Sequence, residues 1–174
     1  MTIYIWEALE KFRNRTPLYA GQTGNLKNRL RIAYGGSSLL DFPHALKESD
    51  VNVIYESDEV YEPSPPESRR WVKTARRGFW YENRYPDKGW GSKGNSGCKN
   101  YMNAKEQIAI DSVRKFANLF SGKFMPLNCN EAVPNYPLYN RKPYEKQRAE
   151  LGGSHDPKIV ASLIEYFDKN IITF

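Results

Sequence analysis

Leu18-Tyr19-Ala20-Gly21-Gln22-Thr23-Gly24-Asn25-Leu26-Lys27-Asn28-Arg29-Leu30 passes within one uninterrupted block from an extended pattern to a helical one. Residues 17–21 read as a short strand. Thr23-Gly24-Asn25 is a turn, and either Thr23 or Asn25 offers a side-chain oxygen to cap the helix that starts at Leu26. Over 26–32 the helical spacing puts Leu26, Leu30 and Ala33 on one face and leaves Arg29 off it; Gly35-Gly36 ends the helix.

Outward from this block, residues 2–8 are β-branched and aromatic and read as a strand that pairs with 17–21 in a hairpin, with 9–16 as a charged connection. Residues 43–47 suggest a short helix, and Val51-Asn52-Val53-Ile54-Tyr55-Glu56 alternates as a third strand. Pro63, Pro65 and Pro66 break regular structure; a short helix is expected over 67–77, then a glycine-rich loop over 87–97. The strongest helical pattern is 102–120, where Ile108, Val113, Phe116, Ala117 and Phe120 form the apolar stripe, Asn103 is the expected cap and Gly122 the stop. Four prolines make 126–143 irregular. A last amphipathic helix is capped by Asp156, opened by Pro157 and lined by Ile159, Leu163, Tyr166 and Phe167.

The chain has 174 residues, 40% of them hydrophobic and 26% charged, which suits one domain with a buried core. No apolar run reaches the ~20 residues of a membrane span, and the N-terminus lacks the basic and apolar regions of a signal peptide. Cys98 and Cys129 stand far apart, as free thiols of a reducing compartment do. The expected setting is cytoplasmic, without a membrane partner.

Net charge is +6, and its distribution is uneven. Between Arg69 and Lys105 ten basic residues face only Glu82 and Asp87, giving +8; the rest of the chain carries 16 basic and 18 acidic residues. One segment thus supplies all of the positive excess, as a polyanion-binding surface requires. Trp71, Trp80 and Trp90 lie in the same segment with Phe79, Tyr81 and Tyr85. The aromatics either anchor the segment to the core or stack on bases, while the cations neutralise phosphates. The candidate DNA-binding residues are Lys27, Arg31, Arg69, Arg70, Lys73, Arg76, Arg77, Arg84, Lys88 and Lys93.

Hydrolysis of a phosphodiester needs an activated water, positive charge on the phosphate and help for the leaving oxygen. Ile3-Tyr4 followed by Leu18-Tyr19-Ala20-Gly21 and Thr23-Gly24-Asn25-Leu26-Lys27-Asn28-Arg29-Leu30 resembles the GIY-YIG nuclease superfamily. In that family a Gly-Ile-Tyr strand pairs with a Tyr-Ile-Gly strand and an Arg follows the second Tyr by ten residues, as Arg29 follows Tyr19. Thr2 replaces the first Gly and Ala20 the second Ile, both at strand positions. The family uses a Glu on a later helix to bind one divalent metal, and an Asn beyond it to brace the site. The resemblance therefore implies Glu106 as the ligand of a single Mg²⁺ or Mn²⁺. It implies Asn128, or Asn130, as the brace. Many members carry a His or Tyr four residues beyond the Arg; Ala33 stands there and Tyr34 follows, so Tyr34 is the candidate for that role.

The catalytic set expected is thus Tyr4, Tyr19, Arg29, Tyr34, Glu106 and Asn128, with the base open between Tyr4 and Tyr19. The fold class that the resemblance implies is α/β: a small antiparallel three-stranded sheet flanked by helices, with a basic insertion and a C-terminal helix. The nuclease core is expected over 1–130, interrupted by a basic aromatic insertion at 57–100. Residues 131–174 then form an irregular segment and a helix packed on the core. The expected activity is metal-dependent, sequence-selective cleavage of double-stranded DNA by a stand-alone enzyme, restriction-like or phage-type. A homodimer or higher oligomer on DNA is left open. Two alternatives stand beside it: a non-catalytic nucleic-acid-binding protein that retains the fold, and a nuclease of RNA or branched DNA.

Overall fold

The computed structural model describes residues 2–23, 26–31, 46–57, 69–74, 78–83, 97–128, 131–132 and 142–171. Strands β1 (Thr2–Ala8) and β2 (Thr16–Thr23) form the expected hairpin, in a register that pairs Tyr4 with Gly21 and Trp6 with Tyr19. The charged connection closes on a tight turn: Phe12 and Arg15 exchange backbone hydrogen bonds of 2.9 and 3.0 Å. Arg13 and Asn14 between them both take positive φ, 50° and 62°, the geometry that matches the twist of paired strands. The Arg13 guanidinium lies 5.0 Å from the centre of the Phe12 ring, which offsets part of the cost of a left-handed non-glycine residue. Strand β3 (Val51–Glu56) joins the other edge of β1, antiparallel, after a 3-10 turn over Glu48–Asp50.

The basic segment is extended over part of its length, not helical as expected. There β4 (Arg69–Thr74) pairs antiparallel with β5 (Gly78–Asn83) in a separate two-stranded ribbon. Its Trp-Val-Lys-Thr run has the β-branched and aromatic content of a strand.

The main sheet has four strands, not three, and is mixed, with the order β3-β1-β2-β6. The extra strand, β6 (Phe124–Pro126), runs parallel to β2, pairing Thr16 with Phe124 and Leu18 with Pro126. At three residues it is too short to show alternation in sequence, and Pro126 sits at its end. The chain reaches it through helix α2 (Gly97–Leu119), the crossover that a parallel pair needs; α1 (Leu26–Arg31) precedes it in the chain. Gly122, at φ +79°, makes the turn out of α2.

Other expectations are corrected as well. Helix α2 starts at Gly97, so Asn103 is not its cap but a buried interior residue. Glu106 consequently lies beyond the first turn, out of reach of the helix-dipole benefit. A helix, α3 (Lys142–Glu150), begins inside the stretch 126–143 that its prolines mark as irregular; 129–130 and 133–141 fall outside the described residues. Of the helix expected over 43–47, Leu46 makes an isolated bridge and Lys47 precedes the 3-10 turn; 43–45 fall outside the described residues.

The C-terminal helix α4 (Pro157–Ile171) starts as expected: Asp156 Oδ1 accepts from the Lys158 N–H at 2.9 Å. Ser112 of α2 docks this start. Its hydroxyl donates to the Ile108 carbonyl and accepts from the Asp156 N–H at 2.8 Å. Alternate residues of the hairpin face two layers. Ile3, Ile5, Leu18 and Ala20 meet α2 and α4 in the larger core, through Val113, Phe116, Leu163 and Phe167. Tyr4, Trp6 and Tyr19 fill the opposite face with Met125, Leu127 and, from α1, Leu26 and Leu30. Among the described residues no helix is long and apolar enough to cross a membrane.

Candidate active site

Gly21 decides how the two tyrosines meet. A Cβ there would stand 2.6 Å from the Tyr4 hydroxyl, 2.8 Å from Tyr4 Cζ and 3.0 Å from Tyr19 Cε1. Only a glycine lets the Tyr4 ring lie across the β2 backbone at its cross-strand position. The Tyr4 and Tyr19 ring centres are 6.4 Å apart and tilted, and Tyr19 stacks on Trp6 at 5.2 Å. Tyr4 is 0% exposed and Tyr19 7%, so the pair is set inside the sheet–α1 layer rather than standing out from it.

Gln22, the next residue, points to the other face, opposite Ile3. Its Nε2 donates to Asn103 Oδ1 at 2.6 Å and to Glu106 Oε2 at 2.8 Å. Burial pushes the Glu106 carboxyl from 4.5 up to about 7; the hydrogen bond from Gln22 and the charge of Arg29 pull the other way without prevailing. Arg29 is half-buried on α1 and acts electrostatically on Glu106, so the guanidinium and the carboxylate belong to one neighbourhood. The tyrosine pair and the carboxylate group approach the sheet from opposite faces at consecutive residues of one strand, Gly21 and Gln22.

Asn128 fixes that strand. Its Oδ1 accepts from the Ala20 N–H and its Nδ2 donates to the Ala20 carbonyl, both at 2.9 Å. The side-chain amide thus continues, by one step, the ladder that β6 makes with β2, after Leu127 has donated to the Leu18 carbonyl at 2.8 Å. Arg114 of α2 donates to the Asn128 carbonyl at 3.2 Å, tying the brace back to the helix that carries Glu106. Asn128 therefore acts on β2 as a positioning residue.

Of the other expected residues, Lys27 and Arg31 are exposed on α1, and Arg69, Arg70 and Lys73 stand on β4. Tyr34, Arg76, Arg77, Arg84, Lys88, Lys93 and Asn130 lie outside the described residues. Gln22 and Asn103 are not among the expected site residues. The signal for them in the sequence is a glutamine at a strand position that faces the apolar core, and an asparagine three residues before Glu106 on the same side of α2. A cavity of about 100 Å³ opens elsewhere on that face, lined by Ile3, Tyr55, Ser57, Lys105, Ile108, Leu151, Asp156 and Ile159; Glu106 is not in its wall.

Among the described residues no three of His, Cys, Asp and Glu come together as a preformed metal cluster. The oxygens at hand are one carboxylate and the amide carbonyls beside it. That set fits Mg²⁺, which keeps several waters and takes one or two carboxylates, better than a metal that needs nitrogen or sulfur ligands. Comparison of the chain with protein-family models, with curated proteins and with solved structures finds no match.

Proposed function

We propose that the protein is a metal-dependent endonuclease of the GIY-YIG type that cuts double-stranded DNA with sequence preference. The observation that carries this reading is the half-buried Glu106 carboxylate, hydrogen-bonded to Gln22, influenced by the Arg29 charge and set beside the strand that holds the Tyr4–Tyr19 pair. A solvated surface glutamate would have none of these features.

In this reading Glu106 holds the divalent cation, which when bound supplies positive charge to the phosphate and its leaving oxygen. Arg29 adds a fixed positive charge to the phosphate. Tyr4 and Tyr19 pack on the other face of β2 and hold in place the strand that carries Gln22. Asn128 keeps β2 straight through Ala20. The positive segment from Arg69 to Lys105 binds the DNA backbone. The test is incubation with supercoiled plasmid with and without Mg²⁺; nicked or linear product that depends on the ion is expected, and an intact plasmid under all conditions contradicts an endonuclease.

A second reading is favoured by one observation. A phenol that is 0% exposed, as Tyr4 is, cannot touch a phosphate. The chain would then be a non-catalytic nucleic-acid-binding protein that keeps the fold. DNA binding with no cleavage in the same assay supports it.

A further inference from the structure

Two oxygens from α2 converge on one atom. Asn103 Oδ1 and Glu106 Oε2 lie 2.6 and 2.8 Å from the same nitrogen, Gln22 Nε2. Asn103 is 6% exposed, buried in the middle of a helix where an asparagine has no capping role, so its amide costs stability unless its oxygen is used. A point at which a neutral and an acidic oxygen meet a single partial positive charge is also one that suits a hard cation. The group now filling it is an amide, and a half-turn about its last bond presents oxygen where nitrogen stood.

We propose that Asn103 is a second protein ligand to the cation held by Glu106, and that the Gln22 amide is the placeholder, donating to both oxygens when the ion is absent and turning its own oxygen towards the ion when it is present. The inference rests on the nuclease reading for the identity of the cation, Mg²⁺ or Mn²⁺. Charge alone would hold such an ion poorly. The site offers one carboxylate, with the Arg29 charge acting on it. Neutral amide oxygens add coordination without adding repulsion, which is how hard-cation sites are commonly completed.

Mn²⁺ binding to the intact chain without DNA, measured by titration calorimetry and by loss of the free-ion electron-spin signal, tests the proposal without reference to cleavage. Asn103→Asp keeps an acceptor for Gln22 and adds a charged oxygen, so it should tighten Mn²⁺ binding by about tenfold. Asn103→Leu, close in shape but without oxygen, should weaken binding by about tenfold. Urea midpoints report separately whether each variant is folded, and Asn103→Asp carries the test if Asn103→Leu is not. Glu106→Gln should lose binding altogether. If Glu106→Gln loses binding while both Asn103 variants bind as the wild type does, Asn103 only ties β2 to α2 and the proposal is overturned, with the nuclease reading intact. If the wild type does not bind Mn²⁺, or Glu106→Gln binds it equally well, the metal assignment beneath both fails.

Discussion

Asn128 holds both backbone groups of Ala20, one with its amide oxygen and one with its amide nitrogen, each at 2.9 Å. Ala20 is fully buried, so its N–H and C=O have no water to turn to. Asn128→Ala should therefore cost about 2–6 kcal/mol, the sum for two buried groups left without a partner. Asn128→Asp, which puts a second oxygen against the Ala20 carbonyl, should be no better. Urea unfolding of both variants checks this, and wild-type stability in either one shows that the brace is dispensable.

Gly21→Ala should destabilise the fold by about 1–3 kcal/mol, because the new methyl group meets the Tyr4 ring with no room to relax. The nearest atom is the Tyr4 hydroxyl, so Tyr4→Phe should restore part of that stability when combined with it. A double-mutant cycle reads this coupling directly. Strict additivity would mean that the ring is displaced without cost.

Glu106 gives the metal-free protein a pH dependence whose sign follows from the raised pKa. The folded chain keeps a proton that the unfolded chain releases above 4.5, so the stability from this group is complete below 4.5 and is lost as pH rises through about 7. The loss is on the order of 3 kcal/mol. Glu106→Gln, neutral at every pH and able to keep its hydrogen bond with Gln22, should match the wild type near pH 4.5 and exceed it at pH 8. Denaturation in EDTA at several pH values is the measurement; parallel profiles for the two proteins would show that the carboxyl is not desolvated.

The first two β-strands and α1 are legible in the sequence because their signals are local: aromatic and β-branched runs, a glycine turn, a leucine pair one turn apart. Asp156 and Pro157 likewise mark the start of α4. The parallel strand β6 is not legible, since Phe124–Pro126 acquires its role only from β2, more than a hundred residues earlier. The ribbon of β4 and β5 escapes for the same reason: paired strands declare themselves through their partner. In the site, the resemblance to GIY-YIG sequences singles out Tyr4, Tyr19, Arg29 and Glu106 as candidates. It cannot show that the tyrosines are buried or that Glu106 is desolvated, because both depend on how α2 and α1 pack on the sheet. Gln22 and Asn103 go unread because a hydrogen bond between residues 81 apart leaves no periodic trace.

Replacing Arg76 and Arg77 with Ala should weaken DNA binding and flatten its dependence on salt, by about 0.9 in log-log slope for each phosphate no longer neutralised. Turnover at saturating DNA should change far less, since neither residue belongs to the proposed site. If one of them reads a base edge, the weakening falls on the preferred sequence and discrimination shrinks by about 1–3 kcal/mol. Binding measured on preferred and random duplexes over a range of salt separates these cases. Unchanged affinity and slope on both would remove these two arginines from the DNA-binding surface.

The central claim is that Glu106 serves the chemistry and not the fold. Its direct test is Glu106→Gln assayed on plasmid in Mg²⁺ beside a measurement of DNA affinity. An amide is a poor substitute for a carboxylate at a hard cation, so cleavage should fall by at least about a hundredfold while affinity stays near that of the wild type. Cleavage by Glu106→Gln at the wild-type rate would contradict that claim.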